Sequence, residues 1–516
     1  MRLKWSIIIT FEYGGSPWLG RRRAPHANPT RQETERNPAV SREQCGFFHE
    51  RQAAPSRLIV RAARIDKAVR VSGNAKIVEP LEVFCLMNKR PIYAMCAILL
   101  AVAVGFPLPA SGEPFDPAAI FLTWRGDPTT TMVIDWHVLP GDEVYRFRDR
   151  NIRLDYRPSG EGEWTTVMGS DHNFPHSDRV IYRVELSDLE PGGTYDFRFA
   201  EDGRAYQFRT MPDQISESEP LRFAVGGDTD DGERFRRMNR AVMNYAHDVE
   251  FVLWGGDLPY ANGDPINIGM WYTWFDDIKE TLIDDDGRVI PIVVAIGNHE
   301  VFQRERLIGG KSPHPDHTEE EADRYMEAFN LVDGYPTFFN HLFAFPEETH
   351  GVLDFADYMS LFILDSDHYI PIEGEQTQWL EQALAERTDQ RYLFPIYHFP
   401  AYPSHRPMDI STSVAVREHW VPLFEEFGVK VAFENHDHNY KRTYPIRNNE
   451  ISEDGVVYVG DGAWGRRLKS GNQQDAWYIE KFVSDHHGVI VTIDGERKHF
   501  DVWGIGEESI DSFTVE

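Results

Sequence analysis

Residues 250–260 read EFVLWGGDLPY. A short apolar run, Phe251 to Trp254, stops at Gly255-Gly256-Asp257, and Tyr260 follows. A brief continuous apolar stretch ended by turn residues is the pattern of a strand buried on both faces. The glycines permit a sharp exit, which leaves a carboxylate at the strand end. The same grammar occurs upstream in RFAVGGD (222–228). It recurs downstream in IPIVVAIGNHE (290–300), YMSLFILDSD (358–367), RYLFPIYHF (391–399), VKVAFENHDH (429–438) and GVVYVGDGAWG (455–465). Helical patterns lie between, in FRRMNRAVMNYAHD (235–248) and GEQTQWLEQALAERT (374–388). Buried strands alternating with helices predict sheets covered on both sides.

Upstream of Leu221 the pattern differs. IFLTWRG, TTMVIDWHV, IRLDYRP, YRVELSDL and TYDFRFA, within residues 120–200, are short and β-rich, and Glu190-Pro191-Gly192-Gly193 is a strong turn. This predicts an all-β sandwich of fibronectin type III or immunoglobulin-like kind. Ser216 to Pro220 reads as a linker. The expected fold class is therefore α+β, with an N-terminal sandwich at 113–215 and a layered α/β domain at 221–505. Residues 302–340 are long and mixed, and predict an insertion or lid.

The first part of the chain reads differently again. Residues 1–86 hold 15 Lys+Arg against 8 Asp+Glu and lack sustained periodicity, so a disordered or non-native extension is expected there. Residues 87–112 combine Lys89 and Arg90, an apolar core from Ile92 to Phe106, and Ala110-Ser111-Gly112, the make-up of a signal peptide starting at Met87. The expectation is a secreted or periplasmic protein with no stable membrane span after cleavage; a retained anchor is the alternative. Cys45, Cys85 and Cys96 all precede the cleavage point. The mature chain then has no disulfide framework and no thiolate ligand.

The formal net charge is −30. Phosphate-backbone binding requires a basic face, so nucleic acid is not an expected partner. A small phosphorylated substrate is compatible.

Polar residues gather where apolar strands stop: Asp228, Asp257, Tyr260, Asn298, His299, His398, His436 and His438. Strand ends in α/β sheets are where sites assemble, because side chains emerge there from a rigid edge. All eight offer oxygen or nitrogen, and together they could hold two metal ions with one carboxylate bridging. Each has a plainer reading alone. The aspartates could be turn residues, Asn298 and His299 a helix cap, His398 a core histidine, and His436-Asp437-His438 a polar strand end. Their succession at five strand ends in one chain is what favours the metal site.

The series GGD (226–228), GGDLPY (255–260), GNHE (297–300), YHFPAY (397–402) and NHDH (435–438) resembles the five signature blocks of calcineurin-like metallophosphoesterases. Tyr260, three positions after Asp257, is similar to the mark of the purple acid phosphatase branch. WRGDPTTTMVIDW and YRVELSDLEPGGTYDFRF resemble that branch's N-terminal fibronectin-like domain. The resemblance covers roughly 117–503. It implies a sandwich of two mixed sheets flanked by helices, and a dimetal phosphoester hydrolase in which activated water attacks a phosphate monoester.

It further implies that Asp228, Tyr260 and His438 bind the first metal, Fe(III). Asp257 bridges, and Asn298, His398 and His436 complete the second site, holding Fe(II), Zn(II) or Mn(II). His299 is implied to stabilise the phosphoryl group, and His405 is a candidate general acid whose alternative is an exposed loop histidine. Glu300, Asp437 and Asp461 are candidate partners of the ligand imidazoles. Trp464 either lines the pocket or packs in the core. Two departures stand out. Asn435 replaces the family's usual glycine, which predicts a φ > 0 turn tolerated by asparagine. Asp230 and Asp231 add carboxylates near the site, read as an acidic start to the next helix. A phosphodiesterase or nucleotide pyrophosphatase is the rival enzyme on the same residues, and a non-catalytic binding or adhesion protein is the rival of another class.

Overall fold

The computed structural model describes residues 115–140, 153–160, 162–199, 203–308, 316–346 and 348–516. The expected extension (1–86) and signal peptide (87–112) lie outside them, as do residues 309–315 of the expected insertion.

Two four-stranded antiparallel sheets form the N-terminal region. One runs Ala119–Thr123, Met132–Val138, Val180–Leu186, Ser170–Asn173; the other runs Thr165–Met168, Arg153–Pro158, Thr194–Arg198, Tyr206–Arg209. Ile120, Leu122, Ile134, Trp136 and Val184 belong to one apolar cluster with Leu154, Phe197 and Phe208 of the opposite sheet. A half-solvated strand would alternate apolar and polar residues, yet Ala119–Thr123 is buried throughout. Its outer face explains this: Phe121 stacks on Phe275 of the helix Ile268–Thr281, with ring centroids 5.1 Å apart. The sandwich is thus joined to the following domain by a shared apolar seam.

From Leu221 the chain builds two mixed sheets. The six-stranded sheet runs Ile292–Val294, Phe251–Trp254, Leu221–Gly226, His487–Ile493, Lys498–Gly504, Ser509–Val515. The seven-stranded sheet runs Gly351–Phe355, Met359–Ile363, Tyr392–Ile396, Val431–Glu434, Val457–Gly460, Tyr440–Thr443, Ile479–Val483. They pack face to face, with Phe223 against Phe394 at 5.8 Å and Phe433 against Phe500 at 6.4 Å. Burying each such ring stabilises the fold by about 2 kcal/mol. Helices Glu233–Tyr245 and Ile268–Thr281 share an apolar cluster with the outer face of the first sheet. Helices Thr377–Ala385, Ser411–His419 and Val421–Glu426 do the same for the second. The result is a four-layer α/β/β/α domain, as expected. Its last strand, Ser509–Val515, pairs with Lys498–Gly504, so the sheet runs past the expected end at 505. That strand alternates without strong apolar content, which hides an edge strand from a hydropathy reading.

The described residues of the segment 302–340 carry structure of their own. Helix Glu319–Phe329 starts with a capping box between Thr318 and Glu321, and Phe302, Leu307, Ala322 and Leu331 form a small core of their own. Tyr325 Oη donates to Asp264 Oδ1 at 2.6 Å, tying the segment to the domain. No helix among the described residues is long and apolar enough to cross a membrane.

Candidate metal centre

Strands Leu221–Gly226, Phe251–Trp254 and Ile292–Val294 are mutually parallel, as are Tyr392–Ile396, Val431–Glu434 and Val457–Gly460 in the facing sheet. Parallel strands end on one edge, so their terminal loops collect in one place. The loop backbones are strained there. Asp228, Asp257, Tyr260, His436 and His438 have φ of 53°, 53°, 61°, 81° and 53°. Left-handed backbone costs a non-glycine residue about 1 kcal/mol or more, and persists only where surroundings over-determine it. Here they do. Glu300 accepts from the backbone N–H groups of Asp257, Leu258 and Gly297 at 2.8, 2.9 and 2.8 Å. Asp228 N donates to Gly256 O at 2.9 Å, and His436 N donates to Asp228 Oδ2 at 2.8 Å.

All seven expected ligands converge. Asp228 Oδ1 lies 2.7 Å from Tyr260 Oη and 2.9 Å from His438 Nε2, and Tyr260 Oη is 3.1 Å from His438 Nε2. Asp257 Oδ2 lies 3.2 Å from His398 Nε2, which is 3.0 Å from His436 Nδ1. Asp257, His398 and His436 form a buried group whose ligand atoms all lie within 4.8 Å of one another. Neighbouring donors around a cation with bonds of about 2.1 Å sit about 3 Å apart, so these spacings suit coordination. Asn298 Oδ1 supplies an independent test. It is buried and has no hydrogen-bond partner, an arrangement that is costly unless something else satisfies it. The donor set is therefore fit for cations: two carboxylates, a phenol, a carboxamide oxygen and three imidazoles.

The imidazoles are oriented by backbone carbonyls. His398 Nδ1 is 2.9 Å from Gly255 O, and His438 Nδ1 is 2.8 Å from Arg467 O, which turns each Nε2 inward. This corrects the expected carboxylate partners. Glu300 holds backbone amides, Asp437 holds the Arg406 guanidinium together with the amides of His405 and Arg406, and Asp461 holds Ser404.

Charge explains the protonation pattern. Burial disfavours a charged His398, but Asp257 and Asp228 outweigh it and push His398 up to about 9. Burial would raise Asp257, yet His398 and His299 hold it well below the usual carboxylate range. The carboxylates thus favour positive charge at the point between these groups. Burial, then Asp228 and Asp257, raise the Tyr260 phenol well above its ordinary value.

His299 also reaches the centre. Its backbone N–H donates to Asp257 Oδ1 at 2.8 Å, and its Nε2 is 3.8 Å from Asp257 Oδ2. His299 and His405 both line a cavity of about 560 Å³ beside the ligands, with His405 Nδ1 turned to Ser470 O.

Two expectations about neighbouring residues change. Asn435 is not at positive φ; the left-handed residues are His436 and His438. Its side chain instead occupies space left open by two distant glycines. A Cβ added at Gly227 would fall 2.2 Å from Asn435 Oδ1, and one at Gly255 would fall 1.7 Å from Asn435 Nδ2. Asp230 pairs with Arg466 at 3.0 Å, and the amide of Gly232, just before the helix, donates to Asp277 Oδ2 at 2.6 Å. Asp230 also lies 3.5 Å from Arg234 in the helix's first turn, so it serves both the site's rim and the helix start, where Asp277 joins it. Trp464 is fully buried and donates to Asn239 Oδ1 at 2.7 Å, so it is a core residue.

Sequence reasoning missed the cavity's basic lining. Arg406, Arg466, Arg467 and Lys469 face it together with the expected ligands. Arg466 also lies over the Tyr260 ring at 3.8 Å. The run Arg466-Arg467-Leu468-Lys469 was the available signal, three residues beyond the Gly-Asp-Gly turn at 460–462.

Residues 221–440 match the family model of the calcineurin-like phosphoesterases, and the fold and strand-end site of that part of the chain agree with it. Residues 117–210 match the model of the purple acid phosphatase N-terminal domain. An uncharacterized protein of Mycobacterium tuberculosis is 24% identical over 369 residues, which cover 67% of this chain and 65% of that protein. Purple acid phosphatase 22 of Arabidopsis thaliana is 24% identical over 361 residues, covering 66% of this chain and 72% of that one. The solved purple acid phosphatase PPD1 from yellow lupin (Lupinus luteus) seeds superposes with a TM-score of 0.59 at 19% identity, covering 77% of this chain and 74% of that chain, and shares the fold. Taken together, the two matched domains and these relatives make the chain similar to the purple acid phosphatases. That family works with a dinuclear metal centre.

Proposed function

We propose that this protein is a metal-dependent phosphoric ester hydrolase, acid phosphatase-like, acting on phosphate monoesters. One observation carries the reading: seven oxygen and nitrogen donors from five distant segments meet at one strand edge, with Asn298 Oδ1 buried among them and unpartnered.

Asp228, Tyr260 and His438 would hold one cation, Asn298, His398 and His436 a second, with Asp257 shared. When bound, the pair supplies ionisation of water near neutral pH and neutralises charge on the phosphoryl oxygens. The phenol of Tyr260 is a hard anionic donor once ionised, which favours Fe(III) in the first position; Fe(II), Zn(II) or Mn(II) suits the second. The protein's own groups do the rest. Glu300 fixes the loops of Asp257 and Gly297, so the donors keep their places without reorganisation. The side chain of His299 sits beside Asp257 at the cavity wall with Nδ1 against Asn262 Oδ1, so its Nε2 would donate to a non-bridging oxygen only as the imidazolium. His405, whose Nδ1 is engaged by Ser470, keeps Nε2 to protonate the leaving oxygen. The export signal starting at Met87 completes the proposal: the enzyme acts outside the cytoplasm, and N-terminal sequencing of the mature protein would place the cut after residue 112.

The test uses protein expressed from Met87. Elemental analysis should find a metal pair per chain, and p-nitrophenyl phosphate should be hydrolysed faster than its bis-ester. Asp257→Asn should lose both metal and activity. Stoichiometric metal with no hydrolysis of either ester would favour a binding protein, and preference for the bis-ester would favour a phosphodiesterase.

A further inference from the structure

The overall charge is −30, yet the cavity wall beside the metal centre is basic. Two of its four cations are already balanced. Arg406 pairs with Asp437, and Arg466 pairs with Asp230. Arg467 and Lys469 have no carboxylate partner among the described residues. Lys469 Nζ donates to a backbone carbonyl, His436 O, at 3.2 Å, and the Arg467 side chain is exposed at the cavity.

The loop that carries them is not loose. Gly465 N and Arg466 N donate to Asp228 O at 3.2 and 3.0 Å, His438 Nδ1 is 2.8 Å from Arg467 O, and Lys469 N donates to His438 O at 3.4 Å. The loop backbone that bears the two cations is therefore fastened to two expected metal ligands, Asp228 and His438, which keeps their attachment points beside the centre. A cavity of about 560 Å³ falls in the range that holds a whole small molecule, well beyond one phosphoryl group. Two unpaired cations in a half-enclosed cavity of an acidic protein are a site for an anion, since charge-assisted bonds to phosphate are among the stronger polar contacts.

We propose that Arg467 and Lys469 form a second anion subsite, and that the preferred substrates carry a second phosphate group next to the one that is hydrolysed. This rests on the hydrolase reading above and names its substrate class: organic diphosphates and bisphosphates in preference to singly phosphorylated esters. The terminal phosphoryl group takes its place at the metal centre, and the neighbouring phosphate lies against Arg467 and Lys469. The reaction remains hydrolysis. The oxygen of water bonds to the terminal phosphorus, and the bond from that phosphorus to its bridging oxygen breaks. The bridging oxygen keeps the electron pair, and the protons of water pass to the two products. Both residues act on specificity by binding the non-reacting phosphate, which raises kcat/KM for substrates that have one.

The experiment compares wild type with Arg467→Ala, Lys469→Ala and the double variant on three substrates: p-nitrophenyl phosphate, ADP and fructose 1,6-bisphosphate. ADP separates a phosphoanhydride from the ester-linked second phosphate of the sugar. Wild type should favour one or both doubly phosphorylated substrates. In the double variant the ratio of kcat/KM for that substrate to kcat/KM for p-nitrophenyl phosphate should fall roughly ten- to hundredfold, chiefly through KM. Equal losses on all three substrates would overturn the proposal, because the pair would then only support the His438 loop. A wild type with no preference would overturn it as well. Calorimetric binding of pyrophosphate and orthophosphate to the metal-loaded protein separates this inference from the catalytic reading. Tighter binding of pyrophosphate, lost in the double variant, supports the subsite even if no ester is hydrolysed. Equal affinity for the two anions refutes it.

Discussion

Gly255 and Asn435 lie far apart in sequence and share one space, which makes their coupling measurable. The three atoms nearest a Cβ added at Gly255 are all in the Asn435 side chain: Nδ2 at 1.7 Å, Cγ at 2.4 Å and Oδ1 at 2.9 Å. Gly255 has no positive φ, so alanine there meets no backbone strain, only this clash. Asn435 cannot swing aside cheaply. It is buried, Nδ2 donates to Tyr397 O at 3.0 Å, and a Cβ at Gly227 would lie only 2.2 Å from the other side of its amide. Overpacking of this kind costs about 2 kcal/mol. Asn435→Ala alone removes the clash partner but leaves Tyr397 O without its donor, which also costs about 2 kcal/mol. Independent effects would sum to about 4 kcal/mol in the double variant. The geometry requires less: once Asn435 is shortened, the methyl of Gly255→Ala enters vacated space, so the double variant should lose only about 2 kcal/mol. Denaturant unfolding of the four proteins measures the coupling. Additive losses would refute the argument that this contact is why both strand ends carry paired glycines. Metal content supplies a second readout, because Asn435 precedes His436. Gly255→Ala should lower metal retention, and Asn435→Ala should restore part of it in the double variant.

His137 lies buried at the domain seam, 4.6 Å from the Phe275 ring centroid, with neither ring nitrogen hydrogen-bonded. Burial first, and Arg179 second, push its pKa down to about 3 from the usual 6.5. The unfolded chain therefore binds more protons between those values, so stability is full above about 6.5 and falls as pH drops toward 3. His137→Phe should remove a penalty of about 2 kcal/mol at about pH 5 and change little at about pH 7.5, read from denaturant midpoints; the same difference at both pH values would show that His137 does not titrate this way. If iron fills the first metal position, the native protein should be violet, and Tyr260→Phe should bleach its visible absorption; a colourless, active, manganese-loaded protein would refute the iron assignment. Lys441 is fully buried against Glu434 and 3.8 Å from Asp461. Lys441→Met leaves those carboxylates unpaired and should cost about 4 kcal/mol in unfolding experiments, whereas a neutral result would mean that they take up protons without strain.

The chain's own order carried much of this protein. Buried strands announce themselves as apolar runs, because a strand covered on both faces has no solvent side, and each run's exit residue marks a position on the sheet edge. Asp228, Asp257, Tyr260, Asn298, His398, His436 and His438 could be picked out for that reason. What each would do, Tyr260 as an iron ligand above all, needed the family resemblance, since one aromatic after a turn has no local meaning. Contact between segments decided the rest. Asn435 fits only because Gly227 and Gly255 face it from another sheet. The ligand histidines are turned by carbonyls of Gly255 and Arg467, and any residue type offers a carbonyl. The basic wall joins Arg406 to a loop some sixty residues later, and which of its cations remain unpaired depends on where Asp230 and Asp437 come to lie. Local sequence determines where a strand stops and what stands at its end, because those rest on short-range sterics and hydropathy. Charge balance, imidazole orientation and shared volume are properties of atoms brought together from distant segments, so folding alone settles them.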